Sequence, residues 1–127
     1  MNSKKETGDY GERLAMRYLR RHLYRIVETN YKTRHGEIDI IAKRGRYIIF
    51  CEVKTRKEEY TDSFGRHALA VNYDKRQHIR YSLKTYLSRN TTKLIPRIDI
   101  IEVYLSEKGH RIEHIKSAFG AQGWVRI

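Results

Sequence analysis

The chain has one cysteine and one proline in 127 residues. A lone thiol, Cys51, excludes an internal disulfide. With no CxxC and no paired Cys/His spacing, it also argues against a structural zinc site. The six histidines form no HExxH pattern, and the one HxE, His35-Gly36-Glu37, has no PCxxC to go with it, which removes the common zinc hydrolases and deaminases. No apolar run approaches the roughly 20 residues that a membrane-spanning helix needs. No signal peptide or lipidation motif is visible, so a soluble, cytoplasmic protein with no membrane partner is expected. Negative charge is scarce as well: 15 Asp and Glu stand against 27 Lys and Arg, a net charge of +12. Such an excess favours a polyanionic partner, nucleic acid before an anionic membrane. The length suits one domain, 1–127, with a core of its own and a flexible polar start over residues 1–7.

What is present reads as alternating helix and strand. Leu14, Ala15, Tyr18, Leu19 and Leu23 recur at helical spacing and predict a helix from about Asp9 to His22. Tyr24–Tyr31 is a weakly alternating strand. Two apolar strands follow, one around Asp39 and one over Tyr47–Lys54. Thr55–Phe64 is polar and charged, and is expected to be a substrate-facing loop. A helical region runs from about Arg66 to Arg89. Ile98–Leu105 is a strong strand just after Pro96, and Arg111–Ile115 is a last one. The order α-β-β-β-α-β-β predicts an α/β sandwich around a mixed sheet: a meander of three strands, then a helical crossover that sets a further strand parallel.

Three charges stand out in the apolar strands. Asp39 lies in Ile38-Asp39-Ile40-Ile41-Ala42. After twelve intervening residues come Glu52 and Lys54, in Phe50-Cys51-Glu52-Val53-Lys54. A buried carboxylate protonates or meets a cation. Two of them beside a lysine, in a basic chain, point to a divalent metal facing a phosphodiester. Strand alternation gives Glu52 and Lys54 one face. A two-residue turn at Arg44-Gly45 pairs Asp39 with Phe50, placing Asp39 on that face, diagonal to Glu52. An odd turn without a bulge would move it to the other face.

The residues also carry a resemblance. Asp-x12-Glu-x-Lys, after a helix bearing Glu12, resembles the PD-(D/E)XK nuclease superfamily with its restriction-endonuclease-like three-layer fold. Gly11-Glu12, Ala15, Tyr18-Leu19, Asn30, Gly36-Glu37-Ile38-Asp39, Phe50-Cys51-Glu52-Val53-Lys54-Thr55-Arg56 and Arg97-Ile98-Asp99 together look like the bacterial YraN-like family. That family is similar to archaeal Holliday-junction resolvases. The match runs from about Gly8 to Phe119. Ile38 stands where the superfamily name has proline, and Cys51 where an aliphatic residue is expected; neither removes a ligand.

The resemblance implies Mg²⁺ or Mn²⁺ held by Asp39, Glu52 and the Val53 carbonyl, with oxygen ligands that suit these ions. It implies Lys54 beside the attacking water, Glu12 completing the site, and DNA as substrate. By analogy with junction resolvases it also implies a homodimer. Arg56, Lys57, Arg66, Lys75, Arg76 and Arg80 are the candidates for phosphate contacts.

Plainer readings stand beside these. Glu12 also fits a solvated helix-start acid favoured by the macrodipole. Asp39 and Glu52 could pair with Lys54 or an arginine across a half-exposed sheet. Glu37 fits an auxiliary acid and a solvated strand edge equally, and Lys75 could snorkel past the sheet edge. Asp99 is expected to be structural, paired with a nearby base, and Cys51 to be a small buried apolar residue. A nuclease-fold module that binds nucleic acid without cutting it is the alternative to the enzyme.

Overall fold

The structure, a computed structural model, describes residues 4–57 and 73–120. Over them the order is α1 (Lys4–Arg21), β1 (Arg25–Thr33), β2 (Gly36–Arg44), β3 (Tyr47–Lys57), α2 (Tyr73–Arg89), β4 (Ile95–Ser106) and β5 (Gly109–Phe119). The five strands form one mixed sheet in chain order: β1, β2 and β3 are antiparallel, β4 is parallel to β3, and β5 is antiparallel to β4. A mixed five-stranded sheet with two helices is what the sequence predicts. Several boundaries differ. α1 begins at Lys4, so residues 4–7, expected to be flexible, are helical. β3 continues to Lys57, so Thr55, Arg56 and Lys57 belong to a strand rather than a loop, because β4 pairs with them through Leu105. Pro96 lies inside β4, near its first residue, and β5 extends past Ile115 to Phe119. The rest of the expected loop and the start of the second helical region fall outside the described residues.

Alternation along the strands builds two cores, one on each face of the sheet. Ile40, Ala42, Ile49, Cys51, Ile101 and Val103 pack against Leu14, Ala15 and Leu19 of α1. Ile41, Ile48, Phe50 and Ile98 pack against Ile79, Leu83 and Tyr86 of α2. The helices therefore cover opposite faces, giving three layers. Cys51 is buried in the first core, as expected of a small apolar side chain.

Both helices sit where glycine lets them come close. A Cβ on Gly11 would lie 1.9 Å from Thr55 Oγ1, so α1 crosses β3 where α1 has no side chain. A Cβ on Gly36 would meet the Cβ and carbonyl oxygen of His78 at 3.0 Å, and Thr33 Oγ1 lies 2.7 Å from Ser82 Oγ beside it. α2 is thereby docked on the β1–β2 hairpin. α1 ends on Leu23 in a left-handed conformation (φ 69°), with Leu23 N–H donating to Arg20 O and Tyr24 N–H to Leu19 O.

A buried polar staple ties the far strands to α1. Asp99 accepts two bonds from Arg97 (2.9 and 2.8 Å) and the Ser117 N–H, and pairs with His114 Nε2 at 2.7 Å. His114 Nδ1 in turn meets Tyr18 OH at 2.9 Å, and Arg97 donates to Tyr24 OH. Burial alone would raise the Asp99 pKa, but His114, Arg97 and Ser117 outweigh it and hold the group below its ordinary value. Asp99 is structural, as expected.

The helix crossing yields a test whose sign is informative. Ala is about 1 kcal/mol better than Gly inside a helix, so Gly11→Ala would be stabilising if only α1 mattered. Overlap with Thr55 reverses this, and a loss of about 1–3 kcal/mol is expected in denaturant unfolding. Thr55→Ala in the same chain should recover part of that loss. A stabilised Gly11→Ala protein would contradict the close crossing.

Candidate active site in a strand fork

The hairpin between β2 and β3 turns at Gly45-Arg46, with Gly45 at φ 59°, and Arg44 pairs with Tyr47. This corrects the expected turn by one residue at each end. The loop still has two residues, so faces are preserved, but the register moves: Ile41 opposes Phe50 and Ile40 opposes Cys51. Asp39 therefore falls opposite Glu52 instead of Phe50. The glycine determines the shift, since it takes the first loop position, where positive φ is needed.

Pairing between β2 and β3 stops at Ile40 and Cys51. Beyond that point β2 stays with β1 down to Gly36, and β3 stays with β4 up to Lys57. The strands part, and Asp39 stands in the fork. Its Oδ2 accepts the Val53 N–H at 2.8 Å, a side-chain bond in place of the missing ladder. The alternation of β2 breaks at the same place. Ile38 joins the α2-side core with Ile41, while Ile40 and Ala42 join the α1-side core. On β1 the matching irregularity is Asn30, at φ 51°, between the pairs Thr29–Ile40 and Tyr31–Ile38. Asparagine tolerates this left-handed conformation better than most residues.

Glu12, Asp39, Glu52, Val53, Lys54, Arg56 and Lys57 line one open cleft of about 590 Å³, together with Lys4, Thr7 and Gly8 of α1. Glu52 is buried, and its Oε2 receives two lysines, Lys54 Nζ at 3.3 Å and Lys75 Nζ at 3.1 Å. Lys75 comes from the first turn of α2, placed there by the close approach at Gly36. The cleft thus joins Asp39, Glu52, Lys54 and Glu12, as expected, and Lys75 reaches it from the other layer.

The cleft gathers three carboxylates, Glu12, Asp39 and Glu52, among the basic side chains that also line it. Burial, then Glu52, then Glu12 and Glu37 push the Asp39 pKa up to about 7, against the lowering effect of the Val53 N–H. Glu12 is raised too, first by burial, then by Glu37, Asp9 and Glu52, with a hydrogen bond from Asn30 acting the other way. Among the described residues, no three His, Cys, Asp or Glu side chains stand close enough to ligate one ion. A cation here would rest on the Asp39 and Glu52 carboxylates and main-chain oxygen, with the rest of its shell left to water. That shell fits Mg²⁺ or Mn²⁺, which retain several waters.

Of the other expected phosphate contacts, Lys57 lines the cleft and the arginines of α2 are dispersed. Lys57 is exposed at the end of β3. Arg80 donates to Gly120 O at 2.8 Å and lies over the Phe119 ring, and Arg76 is half-buried on α2. Neither Arg76 nor Arg80 lines the cleft, and Arg66 lies outside the described residues. The contribution of Asn30 was not read from sequence; a polar residue depleted in strands, in the middle of one, was the available signal. The same holds for Glu102 of β4, a buried acid in the apolar run Ile98–Leu105.

Residues 11–103, a span that includes every described acid and lysine of the cleft except Lys4, match the model described as "Uncharacterised protein family UPF0102". The chain belongs to the UPF0102 family. This is the YraN-like family that the motifs resemble. A UPF0102 protein of Alkaliphilus oremlandii is 45% identical over 118 residues, covering 91% of this chain and 98% of its own. One from Clostridioides difficile is 45% identical over 120 residues, covering 94% and 100%. One from Dehalococcoides mccartyi is 37% identical over 121 residues, covering 94% and 98%. No helix among the described residues of this UPF0102 chain is long and apolar enough to cross a membrane.

The raised Asp39 pKa makes a stability prediction. An unfolded Asp ionises near 3.8, whereas the folded group ionises near 7. Between these values only the folded state keeps the proton, so the contribution of Asp39 to stability is full below pH 4. It declines as pH rises towards 7 and is lost above it. In chelator, Asp39→Asn should raise the melting temperature at pH 8 and flatten its fall between pH 4 and 7. A variant that melts lower than wild type at pH 8 would show Asp39 to be favourably paired instead.

Proposed function

We propose that the fork is the active site of a metal-dependent nuclease that hydrolyses phosphodiester bonds in DNA, on a restriction-endonuclease-like fold. Branched or otherwise structured DNA is the favoured substrate. One observation carries the reading: Asp39 and Glu52, on strands that part at that point, meet beside Lys54 in an open cleft of a chain with net charge +12. Two carboxylates facing a polyanion repel it, so a surface that only bound DNA would gain by losing them. A divalent cation between them turns repulsion into attraction.

Asp39, Glu52 and the Val53 carbonyl would hold Mg²⁺ or Mn²⁺. The bound ion would neutralise charge on the phosphate and lower the pKa of a water. Val53 N–H fixes the Asp39 carboxylate in place. Lys54, carried on the same strand as Glu52, would leave that carboxylate to donate to a phosphate oxygen and offset charge in the transition state. Glu12, oriented by Asn30, would accept a hydrogen bond from the attacking water. Lys75 supplies a second ammonium group from the opposite layer. A homodimer would present two such clefts to matched strands of a symmetric substrate; the junction-resolvase analogy alone supports it.

A second reading has an observation in its favour. Lys54 and Lys75 already neutralise Glu52, and among the described residues the site has no third acid at ligating distance. A nucleic-acid-binding module with no catalysis would keep such an ion-paired site.

The two are separated by incubating purified protein with linear, single-stranded, flapped and four-way DNA in Mg²⁺ or Mn²⁺. The enzyme reading expects cleavage of at least one form. Asp39→Asn/Glu52→Gln should cleave none, yet bind as tightly as wild type or tighter in chelator. Lys54→Ala should slow single-turnover cleavage about 10²-fold or more at saturating protein, with a small change in affinity. Tight binding by metal-replete wild type without any cleavage would favour the binding module.

A further inference from the structure

The face that carries Glu52 and Lys54 continues past the cleft. Parallel pairing sets Lys54 beside Glu102 and Arg56 beside Tyr104. Alternation places Arg56 on the same face as Lys54, one same-face step further along β3. Glu102 is fully buried and held from two sides. The Tyr104 hydroxyl donates to its Oε1, and Arg56 Nε lies 3.6 Å from its Oε2. The Tyr104 ring is itself backed by Arg111, whose guanidinium lies 4.2 Å from the ring centre. Arg56 Nε and Glu102 Oε2 are both buried and meet as an ion pair without a hydrogen bond, while about a third of the Arg56 side chain (33%) remains exposed and lines the cleft.

A buried carboxylate is costly unless it is paired, and an apolar residue in its place is often no less stable. Glu102 sits between the Lys54 and Arg56 row and β5, away from the fork, where the proposed hydrolysis has no step for it. Its geometric effect is on Arg56. With Nε turned into the sheet, the outer guanidinium nitrogens are the donors that a ligand in the cleft could reach on the exposed part of Arg56. A fixed planar fork suits two parallel bonds to a phosphate. Neighbouring same-face residues on a strand are about 6.6 Å apart, comparable with the separation of adjacent phosphates along one nucleic-acid strand.

We infer that Glu102, together with Tyr104, is a positioning residue that holds Arg56 to grip the phosphate adjacent to the one at Asp39 and Glu52. The inference rests on the nucleic-acid reading of the cleft. Lys54 then marks the reacting phosphate and Arg56 its neighbour, so the pair sets the register of the strand in the site.

The test is DNA binding by fluorescence anisotropy in chelator, with linear and four-way DNA over a range of salt, which separates it from catalysis. Arg56→Ala should weaken binding and reduce the slope of log Kd against log salt by about one. Glu102→Gln removes a negative charge near the DNA, so simple electrostatics expects tighter binding, whereas positioning expects weaker binding. The sign decides. In an Arg56→Ala background Glu102→Gln should have no further effect, since its influence runs through Arg56. Tyr104→Phe, which changes no charge, should weaken binding in the same direction and carries the test if Glu102→Gln fails to fold. Binding by Glu102→Gln or Tyr104→Phe as tight as wild type or tighter, or an equal loss without Arg56, overturns the inference. Failure of wild type to bind either DNA overturns the nucleic-acid reading and the inference with it.

Discussion

The hydrogen bond from Val53 N–H to the Asp39 carboxylate, at 2.8 Å, stands where the ladder between β2 and β3 ends. Everything at the site depends on that parting of strands. Had the ladder continued, Asp39 and Glu52 would face each other across a closed sheet, and Val53 N–H would need a main-chain partner. Because β2 follows β1 while β3 follows β4, a gap opens, and a side chain fills the vacant bonding position. The same gap admits Glu12 from α1 and Lys75 from α2. The left-handed Asn30 and the broken alternation at Ile38 and Ile40 show that both β1 and β2 bend to make it.

The second constraint is charge. A chain with 27 basic and 15 acidic residues buries Asp39 beside Glu52, Glu12 and Glu37, and burial first, then their repulsion, holds a proton on it to about pH 7. Folding tolerates this because both sides of the sheet are well packed and Asp99 is fully satisfied elsewhere. The cleft is the place where burial and repulsion of carboxylates cost local stability. Two lysines on one oxygen of Glu52 offset its charge on the β3 side, whereas among the described residues Asp39 forms no ion pair. A divalent cation would supply the counter-charge.

Much of this was legible in the residues. Apolar runs broken by single charges marked Asp39, Glu52 and Lys54, and helical spacing put Glu12 on the stripe of Ala15 and Leu19 that meets the sheet. Face assignment survived an error in the turn because Arg44-Gly45 and Gly45-Arg46 loops both contain two residues, so parity was unchanged while register was not. Other features depended on distant partners. β3 extends through Arg56 because β4 pairs with it, and nothing local in Thr55-Arg56-Lys57 signals a strand. α1 starts at Lys4 despite Gly8 and Gly11, since Gly11 is chosen for its contact with Thr55 rather than for helix propensity. Glu102 was overlooked although it obeys the rule that exposed Asp39: a lone acid in an apolar strand has a partner to be found.

A fork built for metal-dependent chemistry must hold a divalent cation in exchange for a proton. Isothermal titration of Mn²⁺ into the protein near pH 6.5, repeated in buffers of different ionisation enthalpy, measures both binding and proton release. Binding accompanied by release of a fraction of a proton, falling as pH rises above 7 and absent in Asp39→Asn/Glu52→Gln, is the predicted result. No saturable Mn²⁺ binding, or equal binding by the double variant, would contradict it.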